Sequence, residues 1–591
     1  MNLHDLSQSL VVAGKDGSNT ECQIIVSMGE ILQNDGFISG ALHAFAMAKR
    51  RAAACNASQG HMNATAAFIM QQVRAGHAVS AESKVELQRV CQKVGGTEGS
   101  WALCVVASKC YLASKMHLAF DLFAHALLLD HQNNSRASKI AWTYSGDILC
   151  AAAGKRLNNS SLSQAERWNK AESFYTAALA LDPTFVDAKT SLAELLRKRG
   201  DLRAALQEFE SIYVCLSPVA TTTATTTEDS NESLDLIFNH AQCLECMCRY
   251  EESFALLVHH AEKAISYLPP AGDSVRIAEH AIVLLYIKLR FVSGKLSDKI
   301  YELPVLCENV RLTSWGKLVT LAQNWSIDVE KNIRKKLPTH WAYAYFLRQL
   351  WIIENDDQTS IVMPSGAKYS NLHVQHQPWI PIVGDSHCLS LAWTTIAGAT
   401  IVPFVATGLK AWHMQPGSQF VTVSNLTAIF ERLSGIKTNQ ESLQDCLFCA
   451  GEIDCREGIP DAVAKGKQAT TKDAVQSTVK KLIDTLVSKS VAYGLRFYVL
   501  SVPPPFRFDT AAPSEQLLLR SHTVRIFNQE LRDQIDQQCT SSTVRFLDIE
   551  DACSTTEHYF LKGELNADGT HANRKILPLV SESFNTFNRS K

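Results

Sequence analysis

The side chains best suited to chemistry in this sequence are Ser386 and, far along the chain, Asp568 and His571. A serine hydroxyl becomes an effective nucleophile when a histidine takes its proton and a carboxylate fixes the tautomer of that histidine. Asp568 and His571 are three residues apart, so one turn can bring the carboxylate to the imidazole. These residue types predict acyl chemistry, whereas an ordinary turn serine is the alternative for Ser386, because Gly-Asp-Ser is common in turns.

Five short apolar runs indicate the strands that would position these residues. They are "WIPIV" (379–383), "ATIVPFV" (399–405), "CLFCA" (446–450), "LRFYVLSV" (495–502) and "VRFLDI" (544–549). Amphipathic stretches at 472–490 and 521–536 lie between them, and such alternation predicts a parallel sheet covered by helices. Functional groups of these sheets gather at the carboxyl ends of the strands, and Ser386 follows the first run at once.

The second half of the chain resembles the SGNH/GDSL hydrolase family, over roughly 379–585, through "GDS" after the first strand and "DGTH" before the last helix. The resemblance implies a three-layer, flavodoxin-like α/β fold with a parallel sheet. It implies that Ser386 is the nucleophile, His571 the base and Asp568 the residue that orients it. It also implies an oxyanion hole formed by the serine amide, a glycine and an asparagine, with Gly408 as the match for the glycine.

The third motif of that family departs from the pattern here. The family has Gly-x-Asn-Asp, and this chain has "GEID", in which Gly451 and Asp454 match but Ile453 replaces the oxyanion asparagine. An isoleucine side chain cannot donate a hydrogen bond, and losing one such donor typically lowers the rate about a hundredfold or more. Arg456 and His387 are the nearest candidates to supply the missing donor.

Arg456 has a second possible role. A guanidinium at the mouth of an ester-cleaving site could bind a carboxylate or phosphate of the substrate, with Glu452 orienting it. The alternative is an ion pair with Glu452, Asp454 or Glu457.

The first half of the chain is typical of helical repeats. Within residues 168–213, Ala171 and Ala205 lie 34 residues apart, as do Tyr175 and Phe209. A small residue followed by an aromatic at this period resembles the tetratricopeptide repeat. Stacked helix pairs form a curved solenoid that binds a peptide or helix, so we expect an unknown protein partner there.

The domain boundaries follow from these patterns. We expect tetratricopeptide-like repeats over 1–270 with a disordered Thr-rich insert at 218–232, and further helices over 271–350 that close the solenoid. A polar linker at 351–377 then leads to the hydrolase-like domain at 378–591.

Composition restricts the location and the partners. A formal net charge of −2 without a basic run argues against nucleic acid or an anionic membrane as partner. The start of the chain is a poor signal peptide, so the 17 cysteines are expected to be reduced and the protein cytoplasmic. Residues 388–409 lack charge, but a buried helix followed by a buried strand explains them better than a membrane span.

No metal or organic cofactor is expected. A zinc site formed by Cys446, Cys449 and Cys455 with His387 or Cys388 is the alternative, but strand alternation points Cys446 and Cys449 to opposite faces. Buried core cysteines are the better interpretation.

The favoured function is therefore ester hydrolysis through a serine acyl-enzyme. Two alternatives stay open. The acyl group could pass to a glycan or another hydroxyl instead of water, or the second domain could be a non-catalytic scaffold, which Ile453 would favour.

Overall fold

The protein is described from a computed structural model. The structure describes residues 25–27, 30, 38–54, 58–130, 135–151, 162–216, 234–267, 277–296, 312–321, 325–356, 378–415, 417–418, 420–436, 444–508, 513–538, 543–556 and 558–589. Residue contacts separate the chain into two compact units, Met1–Leu195 with Gln207–Thr222 (unit 1) and Leu196–Leu206 with Thr223–Lys591 (unit 2). The described part of unit 1 is helical, and unit 2 combines helices with a sheet.

Helices in the first part of the chain pack sequentially, each of the first six against the next. They are α1 (Ile38–Ala54), α2 (Ser58–Arg74), α3 (Ala81–Val94), α4 (Gly96–Leu112), α5 (Met116–Leu129), α6 (Arg136–Ala151) and α7 (Gln164–Leu181), followed by α8 (Val186–Lys198) and α9 (Leu202–Leu216), which include residues of both units. Capping residues define some of the helix ends. At α7, the Ser163 hydroxyl accepts from the Glu166 amide while the Glu166 carboxylate accepts from the Ser163 amide, which forms a capping box.

The residues of the 34-residue spacing are buried in these helices. Ala171 and Tyr175 in α7 are nearly inaccessible, and so are Ala205 and Phe209 in α9. The Tyr175 ring fills the space beside a glycine of α6, because a Cβ added at Gly146 would lie 2.5 Å from the ring. Gly146 thus permits the close approach of the aromatic side chain.

Unit 2 opens with a second group of helices. They are α10 (Leu234–Cys246), α11 (Tyr250–Tyr267), α12 (Ile277–Val292), α13 (Trp315–Val319), α14 (Ile327–Lys336) and α15 (Pro338–Asp356). Every residue of α12 from His280 to Val292 is buried. This helix is apolar around nearly its whole circumference, and such a helix needs neighbours on all sides.

The sheet of unit 2 has six strands, and all neighbouring strands are parallel except one antiparallel pair at the edge. The strands are β1 (Trp379–Gly384), β2 (Thr395–Ile396), β3 (Ala399–Val405), β4 (Gln444–Cys449), β5 (Leu495–Leu500) and β6 (Val544–Leu547), in the spatial order β2-β3-β1-β4-β5-β6. The antiparallel pair is β2 with β3. The five apolar runs of the sequence all form strands of this sheet, and the predicted parallel pairing is confirmed for these five. The antiparallel edge strand β2 was not predicted.

Helices alternate with these strands along the chain. They are α16 (Val421–Gly435), α17 (Ile459–Ala464), α18 (Thr471–Tyr493), α19 (Glu515–Gln538), α20 (Glu550–Cys553) and α21 (Leu577–Arg589). The longer ones end or begin at defined signals. Gly494, in the left-handed region at φ +62°, ends α18 one residue before β5 begins.

One hydrophobic core includes both the helices α10–α15 and the sheet of unit 2. Polar contacts reinforce it. The Trp393 indole after β1 donates to the Phe291 carbonyl of α12 at 2.7 Å, and the Val405 amide of β3 donates to the Tyr250 hydroxyl of α11 at 3.3 Å. The helices α10–α15 are therefore part of the structure that holds the sheet.

This packing differs from the boundaries that the sequence suggested. Helices over 271–350 were expected to close the solenoid, whereas they share a compact unit with the sheet, and α15 extends through Asp356 into the expected linker. The physical reason is that an apolar helical face does not reveal which neighbour covers it. The remainder of that linker, 357–377, and the Thr-rich insert at 218–232 lie outside the described residues.

The segment after Ser386 also differs from expectation. A buried helix was expected there, but the chain forms a short 3-10 helix, Ser386–Ser390, and then returns through β2 to pair with β3. In the parts of the chain that the structure describes, no helix has the length and apolar character needed to cross a membrane.

Candidate active site

Ser386 lies directly after β1, at the carboxyl end of a central strand. Gly384 makes this position possible, because a Cβ there would lie 2.2 Å from the Cys449 carbonyl oxygen of the neighbouring strand β4. Asp385 follows the strand and caps the 3-10 helix, since its Oδ1 accepts from the His387 amide at 3.0 Å. The Ser386 hydroxyl is thus presented on a sharp turn at the end of the strand.

The structure brings Ser386, His571 and Asp568 together. The Ser386 Oγ lies 2.7 Å from His571 Nε2, and His571 Nδ1 lies 2.8 Å from Asp568 Oδ2. Because a carboxylate can only accept, Nδ1 carries the proton, and Nε2 is left to accept from the serine hydroxyl. This is the arrangement that lets a serine lose its proton to a base.

The Asp568–His571 turn is organised by its own backbone. Asp568 Oδ1 accepts from the amides of Thr570 and His571, both at 2.9 Å. Gly569 has φ +90°, a value that L side chains rarely adopt. Burial alone would raise the pKa of Asp568, but its hydrogen bond to His571 and the attraction between the two lower it. The carboxylate is therefore ionised and able to orient the imidazole.

The imidazole of His571 lies between two other rings. The Phe346 ring of α15 stacks on it at 4.1 Å between centroids with 22° between the planes, and the His387 ring is at 4.5 Å. Burial, and then the charge of His387, lower the pKa of His571. The histidine is thus fixed in its plane and held neutral, as a proton acceptor must be.

His387 forms a second Asp–His pair beside the first. Its Nδ1 lies 3.1 Å from Asp385 Oδ1, and its Nε2 lies 3.2 Å from the Thr570 carbonyl oxygen. Both ring nitrogens are therefore engaged by acceptors. The sequence offered His387 as a substitute oxyanion donor, but this geometry leaves it no ring N–H to direct at a substrate.

Asp454 binds the backbone of the loop that carries Gly408. Its carboxylate accepts from the Ala411 amide at 2.7 Å and the Trp412 amide at 3.1 Å, in the segment after β3. Gly408 itself has φ +71°. Burial raises the pKa of Asp454 to about 6. The matched Asp of "GEID" is thus a support for the Gly408 loop.

Gly451 is constrained by packing. It has φ +111°, and a Cβ on it would lie 2.6 Å from the Phe527 ring and 3.0 Å from the Val502 side chain. A side chain at this position would separate the β4 loop from α19, so the glycine is explained without any contact to a substrate.

Arg456 takes part in a charged cluster centred on Glu452. Arg456 Nε lies 2.9 Å from Glu452 Oε1, and Arg520 of α19 reaches the same oxygen at 2.7 Å. Arg456 also pairs with Glu457 at 3.1 Å. The Glu452 side chain is 5% exposed and that of Arg456 37%, so of these two only the arginine presents much surface to solvent.

The cysteines of the zinc alternative are buried. Burial raises the pKa of the Cys446, Cys449 and Cys455 thiols. Among the residues that the structure describes, no group of three or more His, Cys, Asp or Glu side chains could hold a metal ion.

Sequence reasoning missed three contributors to the site. Phe346 and Arg520 have no local signal, because each reaches the site through tertiary packing from a helix remote in sequence. The Asp385–His387 pair did have one, since an acid and a histidine two residues apart flank the serine.

Comparison of the chain with known protein families and with curated proteins finds no match.

Proposed function

We propose that the protein is a serine esterase that works through an acyl-enzyme on Ser386. The observation that carries the proposal is the chain of two short hydrogen bonds, 2.7 Å from Ser386 to His571 and 2.8 Å from His571 to Asp568. A hydroxyl, an imidazole and a buried carboxylate in this order are what serine-dependent acyl transfer requires.

In the proposed reaction, Ser386 Oγ attacks the acyl carbon of an ester while its proton passes to His571 Nε2. The bond to the leaving alcohol breaks, and that alcohol oxygen takes the proton from His571. Water then attacks the acyl-enzyme, giving its proton to His571, and the carboxylic acid leaves as Ser386 recovers its proton. Asp568 stays ionised throughout and stabilises the imidazolium that forms.

The sheet order supports a resemblance to the SGNH/GDSL hydrolases. Without its antiparallel edge, the order β3-β1-β4-β5-β6 corresponds to the order 2-1-3-4-5 of flavodoxin-like folds, which place ligands at the carboxyl ends of the central strands. Ser386 follows β1, the strand between β3 and β4. We therefore assign the α/β part of unit 2 to this fold as part of the proposal.

The oxyanion would be held chiefly by backbone amides. The Ser386 amide and the Gly408 loop lie at the ends of the adjacent strands β1 and β3. Ile453 contributes no donor, and His387 is engaged elsewhere, so Arg456 is the remaining side-chain candidate named from the sequence. An Arg456→Lys variant that keeps the charge but loses the planar fork would report on that role.

The helices of unit 1 would bind a protein partner in this proposal. Sequential packing of helices and the buried small–aromatic pairs, such as Ala171 with Tyr175, support a tetratricopeptide-like solenoid. Such a surface would bring the enzyme to its ester-bearing substrate.

Labelling with a fluorophosphonate probe tests the activated serine. We expect the wild-type protein to be labelled, and Ser386→Ala and His571→Ala to lose labelling. Ser488→Ala and His522→Ala, two exposed positions on α18 and α19, are the matched controls and should keep it. A well-folded wild type that fails to label would overturn the proposal in favour of the non-catalytic alternative.

A product assay separates hydrolysis from transfer. With 4-nitrophenyl acetate as acyl donor, hydrolysis releases nitrophenol and acetate in equal amounts whether or not a glycan is added. Acetylated glycan formed at the expense of acetate would replace the hydrolase proposal with an acyltransferase that uses the same acyl-enzyme.

A further inference from the structure

The second Asp–His pair has no part in the reaction described above, although it touches the first. His387 directs Nδ1 at Asp385 and Nε2 at the Thr570 carbonyl, and its ring lies 4.5 Å from that of His571. Asp385 is 1% exposed and His387 8%. A buried pair in contact with a general base can change what that base does.

The contacts of His387 define its protonation state. A neutral imidazole has one donor nitrogen and one acceptor nitrogen. Here both nitrogens face oxygen atoms that only accept, a carboxylate at 3.1 Å and a backbone carbonyl at 3.2 Å. A neutral ring would leave a lone pair against one of these oxygens, so both nitrogens must carry hydrogen.

The environment of Asp385 requires the same charge. Its Oδ1 accepts from the His387 amide and ring, whereas its buried Oδ2 has no hydrogen-bond partner among the described residues. A buried carboxylate needs a counter-charge, and His387 is the cation in contact with it.

We propose that His387 is a positioning residue, a lasting imidazolium that joins Asp385 to the Thr570 carbonyl and keeps His571 in its neutral, proton-accepting form. The inference rests on the proposed serine esterase function. His387 thus has a role in the proton transfer and none in binding the oxyanion.

Charged groups on several elements face this pair. Glu452 of the β4 loop attracts the protons of both histidines, while two arginines, Arg456 and Arg520, offset its charge. Asp568 lies on the far side of His571. Tyr343 of α15 adds a phenol whose pKa is raised by burial and then by Asp385, so it stays neutral.

The balance of these effects agrees with the contacts. Burial opposes protonation of His387, but Asp385, Glu452 and the Thr570 carbonyl together raise its pKa to about 9. The same cation lowers the pKa of His571. The His387 ring lies 4.5 Å from the His571 ring, so the positive member of the Asp385–His387 pair is in contact with the base.

The consequence for catalysis concerns both proton transfers. When His571 takes the Ser386 proton, it becomes a cation beside a cation, and it therefore gives that proton to the leaving oxygen more readily. His387 keeps both of its protons throughout. In the free enzyme, the repulsion keeps His571 deprotonated at a lower pH than an isolated buried Asp–His pair would allow.

The test compares the pH dependence of labelling in three proteins of full length. Asp385→Asn/His387→Gln removes the pair without leaving a buried carboxylate, and His522→Gln is the matched control at an exposed histidine. The fluorophosphonate labelling rate is measured from pH 4.5 to 9. The acidic limb is the fall of the labelling rate at low pH, where His571 becomes protonated. We expect the acidic limb of the double variant to lie about one pH unit higher than that of the wild type, and that of His522→Gln to match the wild type.

A second readout is independent of activity. Protein labelled with ¹³C at the histidine Cε1 is titrated by NMR, and the His387 resonance is assigned by its loss in the variant. We expect His387 to stay protonated up to about pH 9. The inference would be overturned if His387 titrates near its ordinary pKa. It would also be overturned if the acidic limb of the labelling profile is the same in the double variant as in the wild type.

The two proposals fail in different ways. If folded wild-type protein does not label, the esterase proposal fails, and the NMR titration alone decides whether His387 is a lasting cation. If labelling occurs and depends on Ser386 but the limb does not move, the esterase proposal stands and the role of His387 is refuted.

Discussion

Replacing Lys288 by methionine would leave a buried carboxylate without its counter-ion, and we expect this to be among the most destabilising single changes in unit 2. The ammonium of Lys288 in α12 contacts the Glu245 carboxylate of α10 and the Thr407 hydroxyl of the loop after β3, and it lies 4.2 Å from the centre of the Tyr343 ring. The side chains of Lys288 and Glu245 are 1% and 5% exposed, so water screens neither charge.

The magnitude follows from that burial. Removing one partner of a buried pair costs about 3–5 kcal/mol, because the other charge is stranded, whereas replacing both partners is often nearly neutral. We therefore expect Lys288→Met and Glu245→Gln each to lower the free energy of unfolding by about 3–5 kcal/mol. The double variant should lose far less than the sum, with a coupling energy of about 2 kcal/mol or more.

The assay is urea unfolding followed by tryptophan emission. Seven of the ten tryptophans lie between residues 315 and 412, so the signal reports mainly on unit 2. Lys480→Met is the matched control, because its pair with Asp484 lies on the surface at 3.0 Å and should contribute less than about 1 kcal/mol. A cost below about 1 kcal/mol for Lys288→Met, or strictly additive single variants, would refute the reasoning.

Three further predictions concern the same unit. Phe346→Leu keeps most of the apolar volume, so we expect it to lower the free energy of unfolding by less than about 1.5 kcal/mol. Because the His571 imidazole loses its stacked ring, we expect fluorophosphonate labelling to slow about tenfold. Labelling at the wild-type rate would contradict this. Burial raises the pKa of Asp454 to about 6 in the folded state. Between about pH 4 and 6, its carboxyl is therefore protonated more in the folded state than in the unfolded state. Its contribution to stability should therefore fall by about 2–3 kcal/mol as the pH rises through that window. Asn does not titrate, so the urea midpoint of the wild type should fall relative to that of Asp454→Asn between about pH 4 and 6.5, and a constant difference would show that the folded pKa is ordinary. Gly384→Ala places a Cβ 2.2 Å from the Cys449 carbonyl oxygen and should lower unfolding free energy by about 1–3 kcal/mol, whereas Gly435→Ala, with nothing within 4 Å of the added atom, should not destabilise the protein.

The features that could be predicted from the sequence are those that depend on neighbours along the chain. The strands β1, β3, β4, β5 and β6 were predicted because each is a short apolar run between polar turns. The two-residue strand β2 carries no such pattern and exists because the chain returns to the edge of β3.

The candidate site shows the same distinction. Asp568 and His571 share a turn, so their spacing predicted their contact, and the turn after β1 placed Ser386 at a strand end. The contribution of Phe346 depends on how α15 packs, and the role of Asp454 depends on where the β3 loop passes. A sequence read locally contains neither piece of information.

The shared core of α10–α15 and the sheet also bears on how this protein could have evolved. One face of the candidate base is covered by Phe346, which precedes the first strand by more than thirty residues, and the Gly408 loop contacts Lys288 from still earlier in the chain. Recombination that moved only the segment from β1 onward into another gene would leave that core open and the histidine without its stacked ring. We therefore expect the smallest segment that could be exchanged with the site intact to begin no later than α10.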